Sequence, residues 1–193
     1  MVIILFLLIG CGRNNQRVIP DEEFKNTQEA MVEVNRRLVK ADQERIESFV
    51  KRKGWDMHES GSGLWYQIYE KGTGDSARSN MLITMDYKIS LLDGTICYSS
   101  DSLGPKQFRI GSGGVESGLE EGVLMLHEGD RARFIMPPHL AYGLTGDGDK
   151  IPPRSIIIYD VKVLRLDGDT GADQRQFKHP EKGTLISEIF DTA

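Results

Sequence analysis

The spacing of apolar residues changes character along the chain. Residues 2–9, VIILFLLI, form an unbroken apolar run. From 27 to 53 the apolar positions Met31, Val34, Leu38, Ala41 and Phe49 recur at helical spacing, through Arg45, with Ile46 beside the last turn. The other positions are mostly charged, and no proline or internal glycine interrupts the segment, so one thin-striped helix is expected. Asn26 before Thr27-Gln28-Glu29 offers a start signal; Lys51, Arg52, Lys53 and then Gly54 offer a stop. From Leu82 the period falls to two. Ile83, Met85, Tyr87, Ile89 and Leu91 share one face, and Thr84, Asp86, Lys88 and Ser90 the other, as in a half-buried strand. Asp93-Gly94 is a tight-turn signal. Further strands are expected over Leu64–Ile68, Thr95–Ser100, Gln107–Ile110, Arg131–Met136 and Ser155–Leu166, with one short helix over Glu116–Leu126. Each face of a sheet needs a cover, so an antiparallel sheet curled around that helix is the expected α+β architecture.

Composition narrows the picture. The 193 residues suit one compact domain plus extensions. A net charge of −5 argues against a nucleic-acid partner, which would require basic patches. Cys11 and Cys97 are too few for a disulfide framework, and Cys97 reads as a small buried apolar group. His58, His127, His139 and His179 show no ligand spacing, and Asp147-Gly148-Asp149 lacks the other ligands of a calcium loop, so neither a metal nor a cofactor is expected. Gly111–Gly118 has glutamate where the third glycine of a dinucleotide loop belongs.

The apolar run is far shorter than the ~20 residues of a spanning helix and reads as the core of an export signal. Leu8-Ile9-Gly10-Cys11 resembles a bacterial lipobox, which implies cleavage before Cys11 and attachment of lipid to it. Gly12 stands where an aspartate would retain a lipoprotein in the inner membrane, so an outer-membrane anchor facing the periplasm is expected. The organisation is then a signal over 1–11, a polar tether over 12–26, a helical extension over 27–54, the main domain over 56–166 and a mobile tail over 167–193. The helical stripe suits either packing on the domain or pairing with a second copy.

Several segments carry a family resemblance. Two double prolines, Pro137–Pro138 and Pro152–Pro153, bracket a loop containing Ala141-Tyr142-Gly143 and Ile151-Pro152-Pro153. Upstream stand Asp86-Tyr87, Leu92-Asp93-Gly94, Phe108-Arg109-Ile110-Gly111, Gly118-Leu119-Glu120-Glu121-Gly122 and Gly129-Asp130-Arg131-Ala132. As a set, in this order, they resemble the FKBP-type peptidyl-prolyl cis–trans isomerases over about residues 60–166. Among these, the lipobox, the helical leader and the Asp93-Gly94-Thr95 to Ser100 variant look most like gliding-motility-associated lipoproteins.

The resemblance implies an FKBP-like sheet and an apolar pocket that takes a proline ring. Tyr87 and Tyr159 would be its walls, Leu119 its floor, and Val115, Ile151 and Cys97 its sides. Tyr142 would offer its hydroxyl and Glu116 its backbone N–H, with the charges of Lys106 and Glu116 at the rim. Tyr98 stands where many members carry an aspartate, and Leu119 where they carry tryptophan, which implies altered activity. Such a pocket needs no nucleophile. Resonance resists rotation of the peptide bond by ~18–20 kcal/mol, and a twisted amide has lost that resonance and some polarity. An apolar site therefore penalises the twisted state less than the planar ones, and each ~1.4 kcal/mol gives a factor of ten in rate.

The implied partners are proline-containing polypeptides, either as substrates of an envelope isomerase or as clients of a non-catalytic chaperone. The lipobox makes a separate prediction. Cys11→Ser should release the protein from membranes or leave its precursor uncleaved; an unchanged membrane fraction with normal processing would reject lipidation at Cys11.

Overall fold

The computed structural model describes residues 21–168, with side chains from residue 28 onward. The expected signal, Cys11 and nearly all of the tail lie outside these residues. Two compact units divide the chain between Ala41 and Asp42.

Helix α1 spans Asp21–Lys53. It begins well before Asn26, so residues 21–26, expected in the tether, belong to the helix and Asn26 is no cap. Nothing between Asp21 and Lys53 is glycine or proline, and propagation meets no barrier there. In the first unit the helix exposes Met31, Val32 and Val34, at 62%, 57% and 54%, while Leu38 is half-buried.

The second unit is built on seven antiparallel strands: β1 (His58–Glu59), β2 (Trp65–Glu70), β3 (Leu82–Leu91), β4 (Ile96–Ser99), β5 (Lys106–Arg109), β6 (Arg131–Met136) and β7 (Ile157–Asp167). Their order is β1-β2-β6-β7-β3-β4. Ten-residue β3 pairs with β7 along one side and shares its other side, with β5 along Leu82–Met85 and β4 along Lys88–Ser90. This is the curled sheet that the alternating pattern predicts. The first two residues of the Ser155–Leu166 run, Ser155 and Ile156, stay out of the sheet for a local reason. Arg154 is left-handed at φ 56°, and Ser155 Oγ donates to Pro152 O at 2.8 Å, so the turn extends past the prolines.

Alternation along β6 and β7 produces two apolar layers. Phe134, Met136, Ile157, Tyr159, Val161 and Val163 point to one side, where they pack with Ile83, Met85 and Ile89 of β3. After the one-turn helix α2 (Ser100–Leu103), helix α3 (Ser117–Val123) covers that side with Leu119 and Val123, and Leu126 follows it into the same core. It is shorter than expected. Gly118 and Gly122 weaken it, and the N–H groups of Met125 and Leu126 turn back three residues to Gly122 and Val123. Gly122 also sets how closely α3 lies on the sheet, because a Cβ there would stand 2.7 Å from the Phe134 ring.

Ile135, Ile156 and Ile158 point to the opposite side and meet Ile46, Phe49 and Val50 of α1, with Trp55, Met57, Trp65 and Leu92 around them. The buried face of α1 is thus Asp42, Ile46, Phe49 and Val50, one position round from the expected stripe, and Arg45 is exposed. Asp42 is anchored by Arg154 at 2.9 Å. Full burial of one such isoleucine or phenylalanine side chain contributes about 1.5–3 kcal/mol, so this end of α1 is part of the domain's core.

Candidate active site

The site lies on the concave side, where α3 meets the sheet. Tyr87 comes from β3, Cys97 and Tyr98 from β4, Tyr159 from β7, Leu119 from α3, and Val115 and Glu116 from the loop before it. Tyr142 and Ile151 come from the long connection after β6, which starts with a 3-10 turn at Pro138–Leu140. Leu119, Ile151, Cys97 and Tyr159 are buried in one cluster, with Tyr87, Tyr98, Val115 and Tyr142 packed half-buried against it. All the expected pocket residues except Glu116 therefore pack in or against one apolar cluster. The rings of Tyr87 and Tyr159 are 6.3 Å apart and tilted by 37°.

Glu116 differs from expectation. Its side chain is not at the rim; it turns inward and is only 5% exposed. One carboxylate oxygen, Oε1, accepts the Tyr159 hydroxyl at 2.9 Å and also the Tyr142 hydroxyl. The other, Oε2, has no hydrogen-bond partner among the described residues and lies 3.6 Å from Lys106 Nζ. Lys106 Nζ donates to Tyr159 Oη at 3.0 Å and lies 5.6 and 5.5 Å from the ring centroids of Tyr87 and Tyr159. A chain of donors thus runs from Lys106 through the Tyr159 hydroxyl into Glu116, and Tyr142 joins it from the loop. Burial, reinforced by the Glu116 carboxylate, holds both the Tyr142 and Tyr159 hydroxyls in their protonated form far above neutral pH. Burial and then Glu116 raise Tyr87 as well.

The loop between the double prolines is braced. Asp147 Oδ1 accepts the backbone N–H groups of Asp149 and Ile151 at 2.9 and 2.8 Å. Its Oδ2 accepts the Tyr98 hydroxyl at 2.5 Å, and Asp149 accepts the same hydroxyl at 3.3 Å. The hydrogen bond to Asp147, with burial, pushes Tyr98 up to about 12. Burial alone would raise Asp147, but the bonds from Tyr98 and the two N–H groups outweigh it and hold the carboxyl below its usual range. Gly146 is required where the loop folds back, since a Cβ would stand 2.2 Å from Ile151 O. Tyr98 therefore does not leave the site without an acid; it fastens one from the facing loop. In the sequence, Asp147 figures only in a calcium loop that is rejected for lack of other ligands; the one visible signal of its actual role is an Asx-type turn placed before Ile151.

Two further features are structural. The Cys97 thiol is buried and makes weak contacts to Lys150 O and Thr95 O at 3.6 and 3.9 Å; burial and Asp147 push its pKa up, as befits an unreactive thiol. In the glycine-rich loop, Glu120 takes the N–H groups of Gly111 and Gly113 at 2.6 and 3.1 Å, the donors that a phosphate would need. Among the described residues no cluster of histidine, cysteine or carboxylate could hold a metal ion.

The arrangement is thus an antiparallel sheet covered by a short helix, with Tyr87, Tyr159, Leu119 and Ile151 of the Ile-Pro-Pro loop packed between them. Residues 74–164 match the family described as FKBP-type peptidyl-prolyl cis–trans isomerase. The chain is 34% identical over 158 residues to a probable FKBP-type peptidyl-prolyl cis–trans isomerase FkpA of Neisseria meningitidis, covering 80% of this chain and 57% of that protein. It is 34% identical over 113 residues to FK506-binding protein 2 of Yarrowia lipolytica, covering 58% of this chain and 78% of that protein. The crystal structure of FkpA from Escherichia coli superposes with a TM-score of 0.58 at 30% identity, covering 78% of this chain and 74% of that one. The chain belongs to the FKBP-type peptidyl-prolyl cis–trans isomerase family. Its match spans only 57% and 46% of the Neisseria and Escherichia coli FkpA sequences.

Proposed function

We propose that this protein is a peptidyl-prolyl cis–trans isomerase that assists folding of exported polypeptides in a bacterial envelope. The observation that carries the reading is the convergence of Tyr87, Tyr159, Leu119, Val115, Ile151 and Cys97 on one cleft beneath a braced loop. The walls supply shape and low polarity around the twisting X-Pro amide. Tyr142 supplies a hydroxyl beside it, and the neighbouring Glu116 N–H a second donor. Leu119 gives a smaller, less flat floor than tryptophan would. That floor, and a Tyr142 hydroxyl already engaged by Glu116, favour a second reading in which the cleft holds proline segments without catalysis.

The location rests on residues outside the described ones. The Leu8–Cys11 lipobox supports a lipid-anchored protein of the outer membrane facing the periplasm, and with the Asp93–Ser100 variant it supports a place in a gliding-motility or other envelope complex.

The full chain should accelerate cis–trans exchange of an X-Pro peptide. Tyr142→Phe should slow it by roughly 2- to 13-fold, the worth of one hydrogen bond of ~0.5–1.5 kcal/mol, with the fold retained because Tyr159 still donates to Glu116, though the melting temperature falls as Glu116 loses a donor. A full rate in Tyr142→Phe removes the tyrosine from the reaction. No activity in the parent, together with suppressed aggregation of an unfolded client, establishes the holding reading instead.

Self-association through α1 belongs to the same proposal, with a second copy covering Met31, Val34 and Leu38. Cutting the chain after α1 would strip Ile46, Phe49 and Val50 from the second core, so substitution is the cleaner test. Light scattering should report a dimer for the full chain and a monomer for Met31→Glu with Val34→Glu; monomers from both would reject self-association.

A further inference from the structure

Lys106 is the first residue of β5, and its side chain reaches inward to the cleft. Its ammonium lies beside the faces of Tyr87 and Tyr159, the surfaces against which a proline ring would rest. It also lies 3.6 Å from Glu116 Oε2. A lysine side chain is flexible, and this one is 26% exposed, so it can swing out; Glu116, at 5% exposure and fixed by two tyrosine hydroxyls, cannot follow.

We infer that Lys106 is a displaceable occupant of the cleft, and that the Lys106–Glu116 pair determines which X-Pro segments the site prefers. This rests on the proposed reading of the cleft as a proline site. When a proline ring takes the place between the tyrosines, Lys106 leaves and Glu116 Oε2 loses its cation. Removing one partner of a buried pair is costly because the remaining charge stays desolvated. A client whose residue before the proline is lysine or arginine brings a replacement cation to the same carboxylate. An apolar residue leaves the charge uncompensated, and an acidic residue adds repulsion. The chemical class preferred is therefore a basic residue followed by proline. The other rim charges are Asp147 and Asp149, engaged with Tyr98, and Lys150, 5.1 Å from the Tyr98 ring centroid. They are common to every variant below, so differences among variants isolate the pair.

The test measures binding and isomerisation of Ala-Lys-Pro-Phe, Ala-Leu-Pro-Phe and Ala-Glu-Pro-Phe by the full chain at low and high salt. The lysine peptide should bind about tenfold tighter than the glutamate peptide at low salt, the scale of one hydrogen bond to a charged group, and the gap should narrow as salt rises. Glu116→Gln should bring the ratio close to one. Lys106→Met, which removes the internal competitor, should tighten binding of the lysine peptide severalfold while leaving the ratio in place, because displacement of Lys106 is common to both bound states. Glu116→Gln with Lys106→Met should be as flat as Glu116→Gln alone. Should Glu116→Gln fail to fold, Lys106→Met still decides, because an unchanged or weaker affinity for the lysine peptide there overturns the inference. A wild-type ratio near one, or one that Glu116→Gln does not move, also overturns it. Charge-selective binding without isomerisation would reject the enzyme and leave this inference standing; isomerisation with no charge preference would do the reverse.

Discussion

A carboxylate with almost no exposure to water sets the terms for the rest of the site. Burying an ion costs several kcal/mol unless partners replace its hydration. Glu116 finds them in the Tyr142 and Tyr159 hydroxyls and in the ammonium of Lys106. Each partner is drawn from a different part of the fold: the loop after β6, strand β7, and the short strand β5. The carboxylate thus ties together the elements that enclose the cleft, and it does so from the residue just before α3. It also places a charged group among the apolar residues of that cleft.

The sheet supports this arrangement by sorting its side chains into two layers. Phe134 and Tyr159 face α3 and the cleft, while Ile135 and Ile158 face the end of α1. Because α1 carries Ile46, Phe49 and Val50 into the second layer, the sheet has apolar cover on both faces. Asp42 on that helix holds Arg154 just beyond the Ile-Pro-Pro corner, so the helix end and the cleft loop are mechanically joined within the same unit. On the other side of the loop, Asp147 holds Tyr98. The loop is therefore fastened at both ends by charged or hydroxyl groups, with Gly146 permitting the close fold between them.

Much of this was legible in the sequence because it depends on period. The alternation from Ile83 to Leu91 fixed which face of β3 is buried, and the ordered family segments placed Tyr87, Leu119, Tyr142, Ile151 and Tyr159 around one cleft. The contact face of α1 was less legible. Ala41 and Arg45 completed a plausible stripe, yet Asp42 and Ile46 are the residues turned inward, since an ion pair made a buried aspartate acceptable there. The start of α1 was misplaced because Asn26 resembles a cap while nothing upstream of it in the helix resists helix. The direction of Glu116 was not legible at all. An acidic residue ahead of a helix reads as solvent-facing, and only tertiary contacts with two tyrosines and a lysine reverse that. Asp147 escaped for the same reason, because its partner Tyr98 lies on a distant strand.

If Lys106 occupies the site at rest, a proline ring must take its place, and a crystal structure of the full chain with a bound Lys-Pro peptide would show the exchange. The expected result is the proline ring between Tyr87 and Tyr159, the Lys106 ammonium moved out to solvent, Glu116 still joined to Tyr142 and Tyr159, and the peptide's own ammonium against Glu116. A proline bound there with the Lys106–Tyr159 hydrogen bond and the Lys106–Glu116 contact both unchanged would contradict it.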